Sequence, residues 1–136
     1  MFGKRNVALY IRTARENDDA VERQEYILRK YAETHGYQGL LTYVDNGVSG
    51  ISLDRPALGR LSTDILAGHI KAVFVKDISR LSRNSFEVHG WINGIRGRGV
   101  RFISIQDGIT DDLFDNHALV YQYYLEHLER NGHRQE

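Results

Sequence analysis

The sequence predicts an α/β domain with a central, mainly parallel sheet of four or five strands and helices on both faces. Short apolar runs rich in β-branched residues, such as residues 72–75, recur along the chain. Such runs are typical of strands buried on both faces of a parallel sheet. Stretches with helical periodicity separate these runs, and strands that alternate with helices favour right-handed parallel connections.

Composition restricts the kinds of protein that this chain can be. Its 136 residues, 41% of them hydrophobic, are enough for one domain with a real core. Lys+Arg and Asp+Glu both number 18, so phosphate binding would have to come from local clusters of charge. The absence of cysteine excludes disulfides and a cysteine nucleophile. No long apolar segment or signal core is found, so we expect no membrane contact and a cytoplasmic location.

The first half of the chain contains two predicted strands and one helix. Residues 6–11 are apolar throughout, which predicts a central first strand. A helical stripe follows over residues 21–35, and Gly36 stands where a left-handed helix stop belongs. Residues 40–44 predict the second strand, which a turn-rich loop follows.

A second helix is predicted after this loop. Asp54 is its expected N-cap, Pro56 lies in its first turn, and Gly68 ends it. The predicted buried face consists of Leu58, Leu61, Ile65 and Leu66.

The second half repeats the pattern, with strands predicted at residues 72–75 and 100–105. Asn84 and Glu87 have capping-box spacing at the start of the third helix. A long C-terminal helix is predicted over residues 112–130, with an apolar stripe broader than a surface helix needs. Packing of this helix on its own sheet and pairing with a partner helix both fit that stripe.

Polar loops follow the predicted strands, and in parallel sheets ligands bind beyond the carboxyl ends of the strands. Guanidinium groups match the geometry of phosphate oxygens, so the loops predict a site for a phosphodiester. A solvated basic surface is the alternative. The six histidines lack the close spacing that zinc requires, and no glycine-rich nucleotide loop is present, so we expect no metal and no cofactor. The loop residues are Arg12, Asp45, Ser49, Arg80, Arg83 and Asp107, with Arg55 just after the second loop.

The same residues belong to motifs that resemble the catalytic, resolvase/invertase-type domain of serine site-specific recombinases, from residue 7 to about 128. Ser79 stands where small resolvases usually carry Asp, so the chain is more similar to the large, transposon-type members. The motifs are Tyr10-Ile-Arg12 with Gln24, Tyr43-Val-Asp45-Asn-Gly-Val-Ser49-Gly50, Asp54-Arg55-Pro56, Lys76-Asp-Ile-Ser-Arg80-Leu-Ser-Arg83-Asn84 and Gly99-Val-Arg-Phe-Ile-Ser-Ile-Gln-Asp107-Gly108.

This resemblance implies a resolvase-like fold and metal-free cleavage of DNA, in which a serine hydroxyl attacks the phosphodiester and forms a phosphoserine link. It also implies DNA as partner, through further domains, and homodimers that pair into tetramers in a synaptic complex. The implied phosphate-holding residues are Arg12, Arg55, Arg80 and Arg83. The implied supporting residues are Tyr10, Gln24, Asp45 and Ser49, and each of these has a purely structural or surface role as its alternative.

The chain departs from the family pattern at the nucleophile, where Ala14 takes the place of the serine. Alanine has no hydroxyl to form a covalent intermediate. Thr13 is its neighbour, but adjacent residues of an extended segment point to opposite faces. We therefore expect this chain not to cleave DNA, through either an engineered or a natural loss, so its status as an enzyme stays open.

Two other interpretations compete with a recombinase catalytic domain that has lost its nucleophile. One is a non-catalytic dimerisation or regulatory module of the same fold. The other is a generic flavodoxin-like or receiver-like domain, which would not account for the arginines. We expect a single domain over residues 1–136, and no helix-turn-helix or zinc ribbon for reading DNA follows its last helix. The target sequence and the integrase, resolvase or transposase role cannot be predicted from it.

Overall fold

A computed structural model describes residues 5–50 and 53–111 of the chain. The predicted C-terminal helix over residues 112–130, and with it the proposed pairing face, lies outside the described residues. The strands are β1 (Asn6–Thr13), β2 (Leu40–Asn46), β3 (Ile70–Val75), β4 (Arg101–Ser104) and β5 (Ile109–Thr110). The helices are α1 (Asp18–Thr34), α2 (Pro56–Leu66) and α3 (Ser85–Gly97), with a 3-10 turn at Ile78–Arg80.

The five strands form one sheet in the order β2-β1-β3-β4-β5. The first four strands are parallel, and β5 runs antiparallel to β4. The predicted mainly parallel α/β fold is therefore confirmed. Because β1 is hydrogen-bonded to β2 and β3, the loops after these three strands open at the same edge of the sheet.

Side chains of β1 alternate between two apolar layers, as successive residues of a strand must. Val7, Leu9 and Ile11 pack with Leu28 and Ala32 of α1 on one face. On the other face, Ala8 and Tyr10 belong to a layer with the apolar sides of α2 and α3. Full burial of each large apolar side chain contributes about 1.5–3 kcal/mol, so the two layers fix β1 in register. The predicted placement of helices on both faces is confirmed.

Two helix ends agree with the sequence prediction. Gly36 follows α1 with a φ of +82°, a left-handed conformation that glycine adopts without steric cost. At the start of α3, the Asn84 side chain accepts hydrogen bonds from the amides of Phe86 (3.0 Å) and Glu87 (3.3 Å).

Two details of α2 were predicted wrongly. Its N-cap is Arg55 and not Asp54, and the cap residue makes no side-chain capping bond. A residue distant in sequence caps the helix instead. The Asp45 carboxylate of β2 accepts hydrogen bonds from the amides of Ala57 and Leu58 in the first turn of α2, at 2.8 and 3.1 Å. Leu66, predicted to be buried, is 61% exposed. It follows the buried Ile65 by one residue, about 100° around the helix, and so turns away from the sheet.

Among the residues that the structure describes, no helix has the length and apolar character needed to cross a membrane.

Candidate functional site

Arg12, at the carboxyl end of β1, joins the loops that follow β2 and β3. Its side chain is buried, and its Nε donates to the carbonyl oxygen of Arg80 at 2.9 Å. Nη1 donates to the carbonyl of Val48 and Nη2 to that of Ser79, both at 2.9 Å. Arg12 therefore holds the two loops together by hydrogen bonds to backbone oxygens.

A second buried network connects β1, β2 and α2. The Tyr10 hydroxyl donates to Oδ2 of Asp45 at 2.7 Å and accepts from Nη1 of Arg55 at 3.0 Å. Arg55 also donates through Nη1 to the carbonyl of Arg80 (2.9 Å) and through Nη2 to that of Leu81. Burial raises the pKa of the Tyr10 phenol, so the phenol stays neutral and able to donate. This network fixes the start of α2 against the turn after β3.

Three other guanidinium groups act on the charge of Arg12 at this edge of the sheet. Burial is the largest cause that lowers the pKa of Arg12. The positive charge of Arg55 lowers this pKa further, Tyr10 opposes the shift, and Arg80 and Arg83 add smaller decreases. The arginines predicted from separate loops thus lie near enough to interact electrostatically.

Ala14 lies at a hollow of about 320 Å³ beside the end of β1. The hollow is many times larger than the ~30 Å³ that a water molecule occupies in the liquid. Of the described residues that line it, none carries a carboxylate. Its basic lining residues are Arg15, Arg23, Lys76 and Arg80.

Arg80 is the predicted phosphate-binding arginine that lines this hollow with Ala14. Its Nη1 donates to the carbonyl of Arg12 at 3.3 Å. Its Nε lies 3.3 Å from Oδ2 of Asp77, an ion pair that compensates part of its charge. Arg80 is therefore oriented by protein atoms while remaining at the wall of the hollow.

Thr13 directs its hydroxyl toward the loop after β2. The Oγ1 donates to Oδ1 of Asn46 at 2.6 Å and accepts from the amide of Gly47 at 2.9 Å. These two bonds fix the hydroxyl, so it is poorly suited to replace a nucleophile at position 14. Thr13 lines the same hollow as Ala14, so these hydrogen bonds, and not the alternation expected of a strand, keep its hydroxyl from taking the place of a nucleophile.

Gln24 reaches the site from α1. Its Nε2 donates to the carbonyl of Arg12 at 3.2 Å, and its buried Oε1 has no hydrogen-bond partner within the described residues. Gln24 also lines the hollow. It thus has a contact with the end of β1 that its position in the sequence alone does not predict.

The remaining predicted residues lie away from the hollow wall. Arg83 and Ser49 are exposed, and the backbone of Arg83 bonds to the carbonyl of Gly50 at 3.1 Å. Asp107 accepts hydrogen bonds from the amide of Ile78 and the hydroxyl of Ser104, at 2.7 and 2.6 Å. Its carboxylate therefore holds the turn after β3.

Sequence reasoning missed three basic residues at the hollow, Arg15, Arg23 and Lys76. Lys76 directly follows β3. Because ligands bind beyond the carboxyl ends of parallel strands, the position of Lys76 already indicated a binding residue. Arg15 lies in the loop after β1, where the same argument selected Arg12. Arg23 has no such signal, because it lies one turn into α1. Within residues 5–50 and 53–111, no cluster of His, Asp or Glu could hold a metal ion.

The family model for the resolvase N-terminal domain matches residues 7–136. The chain belongs to this family. A putative DNA recombinase of Bacillus subtilis (strain 168) is 37% identical to this resolvase-family chain over 81 residues. The matched region is 57% of this chain and 16% of that relative's length.

Solved structures of serine recombinase catalytic domains resemble this resolvase-family domain. The N-terminal catalytic domain of TP901-1 integrase is 28% identical with a TM-score of 0.77, covering 96% of this chain and 97% of that one. A resolvase family site-specific recombinase from Streptococcus pneumoniae is 26% identical with a TM-score of 0.67, covering 96% and 91%. The predicted resemblance is confirmed: this is a domain of the serine recombinase catalytic type.

Proposed function

We propose that this resolvase-family domain binds a DNA phosphodiester at the hollow beside Ala14 and does not cleave it. The observation that carries this proposal is the position of Ala14 at a hollow lined by Arg80 and further cations. A phosphoserine intermediate needs a hydroxyl, which alanine lacks. The adjacent hydroxyl of Thr13 is held by Asn46 and Gly47.

In this proposal Arg80 contacts the phosphate, and Arg12 and Arg55 position Arg80. Both buried arginines donate to the carbonyl of Arg80, each at 2.9 Å. A binding group whose backbone is fixed by neighbouring hydrogen bonds loses little freedom when its ligand arrives. Tyr10 and Asp45 support Arg55, and Gln24 supports the end of β1.

The exposed Arg83 and Ser49 are proposed to meet the DNA backbone outside the hollow. The proposed assembly is a homodimer that pairs into a tetramer, and the residues that read the DNA sequence are proposed to lie in further domains.

The test of this function is a chimera in which the chain replaces the catalytic domain of an active serine recombinase. The chimera is incubated with that recombinase's own DNA site, and covalent protein–DNA adducts are counted on a denaturing gel. We expect no adduct with Ala14 and adduct formation with Ala14→Ser. The double variant Ala14→Ser/Arg80→Gln should lose the adduct again. An adduct from the unsubstituted chain would contradict the proposed absence of cleavage.

A further inference from the structure

Three cations at the hollow have no side-chain partner among the residues that the structure describes. Arg15, Arg23 and Lys76 line it, and their side chains make no hydrogen bond or ion pair within the described residues. By contrast, Arg80 in the same lining is paired with Asp77 at 3.3 Å. Within the described residues, the positive charge of the hollow that no ion pair compensates therefore resides on three residues to which the family resemblance assigns no role.

The concentration of charge at this place is not a property of the whole chain. Lys+Arg and Asp+Glu are equal in number, so the formal net charge is zero. A cleft lined by charges of one sign raises the local concentration of the opposite ion, also where the charges are exposed, as Arg15 and Arg23 are. A hollow with these cations, and with no carboxylate among the described residues of its lining, is thus suited to a polyanion.

The three side chains come from separate elements of the fold. Arg15 lies in the loop after β1, Arg23 in α1 and Lys76 after the end of β3. Separate origins allow them to meet different anionic groups along an extended ligand. Guanidinium groups bind phosphate oxygens in a forked geometry, and the lysine ammonium binds them as a point charge.

We propose that Arg15, Arg23 and Lys76 form a phosphate clamp that holds the DNA backbone next to the phosphodiester at Arg80. The clamp rests on the proposed function and adds to it the residues that supply most of the binding charge. Each clamp contact pairs a cation with a phosphate and releases counterions from the DNA. Affinity therefore depends steeply on salt.

The experiment measures binding of the full chain to a fluorescein-labelled DNA duplex by fluorescence anisotropy over a series of salt concentrations. The clamp variant carries Arg15→Gln, Arg23→Gln and Lys76→Gln. A matched control carries Arg60→Gln, Lys71→Gln and Arg98→Gln, which removes the same charge from exposed residues outside the hollow. Thermal unfolding followed by circular dichroism establishes that both variants are folded.

We expect the clamp variant to bind the duplex at least about tenfold more weakly at low salt, and its slope of log affinity against log salt to be shallower by about one for each cation removed. The matched control should keep the affinity and the slope of the unsubstituted chain. Equal losses in the two variants would overturn the clamp, because non-specific charge would then explain the binding.

Two further measurements distinguish DNA from a small anion as the ligand and show whether the clamp or the proposed function is wrong. Unlabelled duplex should displace the probe at a far lower phosphate concentration than inorganic phosphate does; equal displacement would mean a site for small anions and overturn the clamp. Arg80→Gln tests the underlying site. If it weakens binding and the clamp variant does not, the clamp is wrong and the proposed function stands. If neither substitution weakens binding, both are wrong.

Discussion

The backbone carbonyl of Arg80 accepts hydrogen bonds from two buried guanidiniums, Arg12 and Arg55. At the scale of single residues, this divides the arginines of the site into two groups. Arg12 and Arg55 bind protein oxygens away from the hollow, whereas the side chain of Arg80, although it contacts the Arg12 carbonyl and Asp77, lies at the hollow wall. A guanidinium has five N–H donors in a fixed fork, so it can fix several loop carbonyls at once.

Asp45 is the residue on which this arrangement depends most. Its carboxylate accepts from the Tyr10 hydroxyl and from two amides of α2. We expect Asp45→Ala to lower the free energy of unfolding by about 3 kcal/mol, because buried donors lose a charged acceptor. Asp54→Ala, at the position that the sequence predicts as the cap, should cost less than about 1 kcal/mol. Urea unfolding of both variants measures the difference; equal losses would show that Asp45 is not the effective cap.

At the scale of elements, the loop after β2 and the turn after β3 approach each other closely over Arg12. Gly50 lies at this approach, where a Cβ would stand 2.8 Å from Nη2 and 3.0 Å from Cζ of Arg12. Arg12 cannot easily move away, since three carbonyls hold its guanidinium. The absence of a side chain at Gly50 therefore permits the loop to close over the arginine.

We expect Gly50→Ala to destabilise the domain by about 1–3 kcal/mol and to weaken DNA binding, since crowding in a packed site costs this much. The control is Gly94→Ala in α3, where an added Cβ would meet no atom of the described residues within 4 Å. This substitution should stabilise the domain by up to about 1 kcal/mol, as alanine favours a helix over glycine. Thermal melts and the anisotropy assay provide both measurements. A Gly50→Ala domain as stable as the original would contradict the close approach.

At the scale of the whole molecule, polar side chains lie at one edge of the parallel sheet, and two phenols are buried near that edge. The pKa of Tyr10 and that of Tyr43 are both raised, in each case chiefly by burial. The acceptors Asp45 and Asp64 raise these values further. Both groups are therefore protonated in the folded state at a pH where they would ionise in the unfolded chain.

This difference predicts a loss of stability in alkaline solution. An exposed tyrosine has a pKa of about 10, so the stabilising contribution is complete below that pH and declines as the pH rises above it. Each phenol should lower the free energy of unfolding by up to about 1.4 kcal/mol per pH unit in that range. Urea unfolding between about pH 9 and about pH 11 measures the slope. Tyr10→Phe should make it shallower, and a flat profile would contradict the raised pKa values.

Local patterns in the sequence were sufficient for the first four strands, for helices α1 to α3 and for the sheet edge that carries the candidate site, but not for the two-residue β5. Apolar runs located the first four strands, and Gly36 and Asn84 marked helix ends correctly. These signals operate within a few residues, where backbone geometry and periodicity control the structure. The resemblance to the family's motif likewise predicted that Ala14 stands at the position of the serine nucleophile.

Only the tertiary structure decided where the long polar side chains point. Arg12 bonds to a carbonyl 68 residues away, and the amide of Ala57 in α2 is capped by Asp45, 12 residues away, and not by Asp54. Arg15, Arg23 and Lys76 line the hollow, whereas Arg83 does not. The acceptors that orient such side chains are brought near by folding, so no short-range pattern in the sequence encodes them.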